Sequence, residues 1–141
     1  MIERIVITLL LTWVITLLGK IVTTIHHGMK NRSFPKIVLI ELLTTGGMPS
    51  MHASLVSSLT FAVFYYDGFG NLLVVTFIFA LIVLVDSFRM RKSVGDQAVL
   101  LNKLAEKAKL KPVSVVPGHT FLEVFVGGVL GALIATIVWL L

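Results

Sequence analysis

Two histidines and a glutamate are the side chains best suited to catalysis in this sequence of 141 residues. His119 and Glu123 are four positions apart at the start of an apolar segment, a spacing that predicts both on one face of a helix, in its first turns. A carboxylate that keeps one imidazole nitrogen protonated leaves the other as a nucleophile or base. His52 begins another apolar segment and is a candidate general acid. The alternatives are that His119 and Glu123 form a local helix pair at the interface and that His52 is a polar helix-start residue facing lipid headgroups.

The stretch around His52 is suited to binding an anion. Two glycines and Pro49 make residues 46–52 (GGMPSMH) a poor helix interior, so we predict that a helix starts here with Pro49 in its first turn. Backbone N–H groups at a helix start favour an anion. Gly47 and Ser50 are therefore predicted phosphate contacts, although simple helix capping is an equally good role for Ser50.

Basic side chains near these histidines could hold the phosphate. Arg89, Arg91 and Lys92 follow the third apolar segment, next to Asp86. Guanidinium and ammonium groups are suitable phosphate partners, but a basic run beside a span also anchors proteins to anionic lipid. Asp86 either orients a base such as Arg91 or caps a turn. Lys20, late in the first apolar segment, either reaches the interface or points into the site.

The composition is that of an integral membrane protein. Hydrophobic residues make up 57% of the chain and charged residues only 13%, about half the charged share of a typical soluble domain. We predict one all-α membrane domain over residues 1–141, whose site is built from the helices and their loops. With no cysteine, disulfides and thiolate chemistry are excluded. The net charge of +5 points to topology and anionic lipid rather than to a nucleic-acid partner.

Hydropathy predicts four spans, at residues 4–26, 49–66, 72–88 and 118–141. Two basic loops, at 27–36 and 89–112, separate them. Residues 37–45 are too few to span and are predicted to form an interfacial or re-entrant helix, and residues 97–110 an amphipathic surface helix. The first segment is not predicted to be a signal peptide, because no small-residue cleavage site follows it.

The positive charges predict the orientation of this multi-pass protein. The positive-inside rule places both basic loops in the cytoplasm and both termini outside. Most of the chemically capable side chains then lie at one depth, at the cytoplasmic headgroup level. Glu123 would lie about one turn into the membrane, where carboxylates are usually functional. Gly127, Gly128 and Gly131 form a small-residue face suited to helix packing, including a possible homo-oligomer.

Three motifs resemble the divergent branch of the type-2 phosphatidic acid phosphatase superfamily, which is related to acid phosphatases and vanadium haloperoxidases. They are residues 46–52, the segment from Asp86 through Arg91-Lys92 to Asn102, and Gly118-His119-Thr120 with Glu123. The resemblance covers roughly residues 20–131.

The resemblance implies a metal-independent phosphatase without a cofactor. His119 would attack phosphorus and form a phosphohistidine, Glu123 would orient it, and His52 would protonate the leaving alkoxide. Lys20, Ser50, the 46–52 backbone and a guanidinium would hold the phosphate, with Asp86 and Gly118 as supporting residues. A metal site made from His52, His119, Asp86 and Glu123 is not predicted, because the spacing matches no established ligand pattern and the surroundings are basic.

Two superfamily arginines are missing from their places. His27-Gly28 stands where an arginine-proline pair follows the lysine, and Val113 stands six residues before His119 where an arginine is usual. Arg89, Arg91 or Lys92 would have to substitute. The predicted function is hydrolysis of a phosphate monoester or pyrophosphate of a membrane lipid. The alternatives are a non-catalytic module that binds phospholipid headgroups and a small lipid transporter.

Overall fold

The computed structural model describes residues 2–26, 47–113 and 118–141, and within these ranges the chain is helical with short connections. The helices are α1 (Ile2–His26), α2 (Met51–Asp67), α3 (Asn71–Val85), α4 (Arg91–Lys107) and α5 (Phe121–Leu140). A π-helical turn, Asp86–Met90, joins α3 to α4. The prediction of an all-α fold is therefore confirmed for the described residues.

Among the described residues, three helices are long and apolar enough to cross a membrane. They are α1 with 25 residues, the continuous helix Asn71–Lys107 with 37, and α5 with 20. A helix of 20 residues covers about 30 Å, the thickness of the hydrocarbon core. With 17 residues, α2 lies at the lower end of the spanning range. The total of four spans, like the orientation, therefore stays a prediction.

The structure corrects one boundary and leaves two predictions outside its range. The surface helix predicted at 97–110 begins at Arg91 and ends at Lys107, and no loop separates it from α3. The reason is that no proline interrupts the segment and Gly95 is buried, so the helix continues through the polar residues. The basic loop at 27–36 and the interfacial helix at 37–45 lie outside the described residues.

Helix α2 is the centre of the bundle, because it packs against α1, α3 and α5. Its contact with α5 depends on glycine. A Cβ atom built on Gly127 would lie 2.5 Å from the Ser50 carbonyl oxygen, and one on Gly131 would overlap the Ser54 carbonyl oxygen. Of the predicted small-residue face, Gly127 and Gly131 therefore pack within the chain, against α2, whereas a Cβ on Gly128 would meet nothing within 4 Å. Association of two chains through these glycines stays a prediction.

Side-chain hydrogen bonds reinforce the contact between α2 and α5. The Ser57 hydroxyl donates to the Gly128 carbonyl at 2.7 Å, and the hydroxyls of Tyr65 and Thr136 are 2.9 Å apart. The Tyr65 ring also stacks on Trp139, with centroids 4.8 Å apart. Polar contacts of this kind between helices are favoured where neither water nor lipid can satisfy the groups.

One face of α1 carries polar residues into the bundle. Thr8, Thr12, Thr16 and Lys20 recur at every fourth position and are all buried. The end of α1 is tied to the segment before α2, because the Thr23 hydroxyl donates to the Met48 carbonyl at 2.7 Å. Gly19 allows this approach, since a Cβ there would come within 3.2 Å of the Pro49 ring. The buried Lys20 side chain is thereby held beside residues 47–50.

Candidate phosphate site

His119 and Glu123 form a hydrogen-bonded pair, but not in the predicted manner. Thr120 caps α5, so His119 precedes the helix instead of lying in its first turns. Glu123 reaches back: its Oε2 accepts from the Thr120 backbone N–H at 3.1 Å and lies 2.9 Å from His119 Nδ1. Because a carboxylate accepts, the proton of this bond belongs to Nδ1, which leaves the Nε2 lone pair for chemistry.

The cap that holds Glu123 was visible in the sequence. Thr120 and Glu123 have the T-x-x-E spacing of a capping box, in which each side chain bonds the other residue's backbone N–H. Both bonds form here, the second from the Glu123 N–H to the Thr120 hydroxyl at 3.3 Å. One carboxylate oxygen thus serves both the cap and the imidazole, and the geometry of α5 fixes its place.

The segment carrying His119 docks on the junction between α3 and α4. The His119 N–H donates to the Ser87 carbonyl at 3.3 Å. In the π-helical turn, the Arg91 N–H bonds to Asp86 rather than to Ser87, so the Ser87 carbonyl can turn to His119. Gly118 makes the approach possible, because a Cβ there would overlap the Lys92 backbone nitrogen. No signal in the sequence pointed to Ser87.

His52 lies in the first turn of α2, one residue after the helix begins. Ser50 caps this helix by accepting from the Ala53 N–H at 3.5 Å. The Ser50 N–H donates to the Glu123 carbonyl at 3.1 Å, which joins the start of α2 directly to the start of α5. Since Ser50 is fully buried, capping is the role the structure shows, and its contact with a phosphate stays a prediction. Pro49 lies before the cap, not in the first turn, because the first helical residue is Met51.

In the part of the chain that the structure describes, four ionisable side chains lie within electrostatic range of the His52 imidazole: Arg91, His119, Lys20 and Asp86. They come from α1, the π-helical turn, α4 and the residue before the α5 cap. Gly47 lies next to the Lys20 side chain: a Cβ atom built on Gly47 would be 3.9 Å from Lys20 Cε. At φ +78° the Gly47 backbone also has a conformation that favours glycine. The structure therefore brings His52 and His119 close to three of the predicted phosphate-binding residues, Lys20, Gly47 and Arg91.

The three basic residues after α3 have different positions. The Arg91 Nε donates to Asp86 Oδ2 at 3.1 Å, and the guanidinium carries further N–H donors on its terminal nitrogens. Lys92 is exposed and lines a cavity of about 220 Å³ that His119, Gly118 and Thr120 also border. Arg89 is exposed on the π-helical turn.

Within 2–26, 47–113 and 118–141, no three His, Asp or Glu side chains are grouped so that they could hold a metal.

These features define a helical membrane protein with a polar, cation-rich histidine site at one end of its bundle. The chain belongs to the divergent PAP2 family, whose sequence profile matches residues 1–134. The resemblance drawn from the three motifs is thereby confirmed. The chain is 35% identical over 112 residues to the uncharacterized membrane protein YuiD of Bacillus subtilis (strain 168), an alignment covering 67% of this chain and 71% of the relative. No solved structure matches the chain.

Proposed function

We propose that this protein is a lipid-phosphate phosphatase that hydrolyses a phosphate monoester or pyrophosphate of a membrane lipid at the cytoplasmic headgroup level. The observation that carries the proposal is the 2.9 Å pair of His119 Nδ1 and Glu123 Oε2, placed with His52 among cations. Binding a headgroup needs only the cations. An imidazole oriented by a carboxylate, with a second imidazole nearby, is an arrangement suited to nucleophilic catalysis.

The reaction takes two steps. In the first, His119 Nε2 attacks phosphorus, the bond from phosphorus to the lipid oxygen breaks, and His52 gives a proton to that leaving oxygen. In the second, water attacks the phosphohistidine, the P–N bond breaks, and His52 takes a proton from the water. Inorganic phosphate leaves and His119 is restored. Glu123 stabilises the imidazole while it carries the phosphoryl group and its Nδ1–H is held by the carboxylate.

Arg91 and Lys20 stabilise the charge on the phosphoryl oxygens. Phosphoryl transfer depends on positioned cations more than on covalent chemistry from the protein. Arg91 takes over from the missing family arginines: it lies close to His52, and Asp86 holds its guanidinium by Nε while the terminal nitrogens carry donors for a phosphate. Lys20, on α1, is only 3% exposed and adds a second positive charge to the site.

The direct test is phosphate release by the purified protein in detergent from a panel of lipid phosphates and pyrophosphates. We expect release that persists with a chelator and that vanadate inhibits competitively, because vanadate adopts the geometry of the phosphoryl transition state. Absence of release from every lipid, with headgroup binding intact, would overturn the phosphatase and support a headgroup-binding module instead. Release that the chelator abolishes would contradict the histidine mechanism.

Replacing Arg91 tests which cation substitutes for the family arginines. Arg91→Ala should lower kcat/KM by about 10²-fold to 10³-fold, the usual loss when one transition-state donor is removed. Arg91→Lys should recover part of the lost kcat/KM, since lysine restores the positive charge but not the planar, bidentate donor geometry of the guanidinium. Lys103→Ala, which removes an exposed positive charge further along α4, is the matched control. Equal activities of Arg91→Ala and Lys103→Ala would exclude Arg91 from the site.

A further inference from the structure

An apolar groove of about 390 Å³ lies between α2, the end of α3 and α5. Its walls include Phe88, Phe121, Phe125, Gly128 and Ala132. The polar residue in its lining is Ser57, whose hydroxyl already donates to the Gly128 carbonyl at 2.7 Å. The groove therefore offers contacts to hydrocarbon and is unsuited to a polar ligand.

Two residues of the groove lining are chain neighbours of residues that hold the His119 segment. Phe88 directly follows Ser87, whose carbonyl accepts from His119, and Phe121 directly follows the Thr120 cap. The rings of Phe88 and Phe121 meet edge to face, with centroids 6.1 Å apart, at the end of the groove nearest to these residues. The groove lining thus begins close to His119, so a lipid whose phosphate lies at His119 has an apolar groove near its headgroup.

Gly128 leaves this groove open. A Cβ atom built on Gly128 would meet nothing within 4 Å, whereas one on Gly127 or Gly131 would collide with the backbone of α2. The absence of a side chain at Gly128 is therefore not required by the helix packing. In a helix interior, glycine is less favourable than alanine by about 1 kcal/mol, so this position has a cost that the packing does not explain.

We propose that this groove holds one apolar chain of the lipid whose phosphate is hydrolysed, and that Gly128 determines how far the chain inserts. The proposal rests on the proposed function and adds the determinant of substrate length. From Phe121 to Ala132 the groove follows 12 residues of α5, a rise of about 16 Å at 1.5 Å per residue step. Gly128 lies beyond the midpoint, so a large side chain there would close the inner part only.

The test is the chain-length dependence of hydrolysis by Gly128→Leu. We expect kcat/KM for a long-chain lipid phosphate to fall at least 10-fold while that for a short-chain, water-soluble analogue stays within 2-fold of wild type, because the short chain ends before the new side chain. Leu133→Ala, on the exposed side of α5 outside the groove, is the control and should alter neither. Equal losses for both substrates, or none for either, would overturn the role of Gly128.

Photolabelling tests binding of the lipid chain in the groove independently of hydrolysis. A long-chain lipid phosphate with a photoreactive group at the end of one chain should label residues between 121 and 132 in the wild type, and Gly128→Leu should move or remove that label. Labelling without any hydrolysis would reject the phosphatase and keep the groove as a lipid-chain site. Hydrolysis with labelling outside the groove would keep the phosphatase and reject this inference.

Discussion

His119→Ala should reduce phosphate release by at least about 10³-fold, the largest loss of activity expected from any single substitution. In the proposed reaction the substitution removes the atom that bonds to phosphorus. Among the described residues, Glu123 is engaged in the Thr120 cap, and the other ionisable groups within electrostatic range of His52 are Arg91, Lys20 and Asp86. The measurement is initial rate against lipid phosphate in detergent, with headgroup binding measured on the same preparation.

His52→Ala tests whether His52 is the general acid and His119 the nucleophile. A substrate with a good leaving group, such as p-nitrophenyl phosphate, needs no protonation of its leaving oxygen. His52→Ala should therefore lose activity on lipid phosphates by about 10²-fold to 10⁴-fold but keep much of it on the activated ester, whereas His119→Ala should lose both. If the two variants respond identically to the leaving group, the assignment of their roles is wrong.

Glu123→Gln is the matched control for the histidine pair. Glutamine also fits the third position of a capping box, so α5 keeps its start and His119 keeps its neighbour. The amide is neutral and no longer stabilises the charge on the imidazole, so we expect slower turnover with an unchanged melting temperature. A large drop in melting temperature for Glu123→Gln would show that the carboxylate serves the fold rather than the reaction.

Much of the site could be predicted from the sequence because it depends on short-range patterns. The contact of His119 with Glu123 was predicted from their spacing, although it forms through the capping box and not on one helix face. The Ser50 cap follows from a polar residue placed before an apolar run. The face formed by Gly127 and Gly131 follows from the small residues that close helix packing requires. Each of these features involves residues a few positions apart.

The rest of the site depends on how separate segments meet, which no local pattern encodes. That Arg91 lies within electrostatic range of His52 depends on the helical register through the π-helical turn, because the extra residue of such a turn shifts every side chain that follows it. The place of Ser87 is decided by the same turn. Helix α4 continues α3 because tertiary packing on Gly118 and Gly95 outweighs the polar composition that predicted a loop.

Gly131→Leu should cause the largest loss of stability among single substitutions in α5. A Cβ at this position already overlaps the Ser54 carbonyl oxygen, so a leucine must force α5 away from α2, the central helix of the bundle. Overpacking a tight core costs about 1–3 kcal/mol and sometimes more. At about 2–4 °C per kcal/mol for a chain near this size, the melting temperature in detergent should fall by roughly 2–12 °C.

Gly128→Leu makes the same chemical change three positions earlier and is the matched control. Its side chain enters open space, and leucine is a better helix former than glycine by several tenths of a kcal/mol, so its melting temperature should stay the same or rise. If Gly131→Leu yields no folded protein, Gly131→Ala still tests the argument, because one methyl group already meets the α2 backbone. Equal melting temperatures for Gly131→Ala and Gly128→Ala would contradict the close approach of α2 and α5. A loss confined to Gly131 would show that the packing of α5 against α2 requires glycine at position 131 and does not require it at position 128.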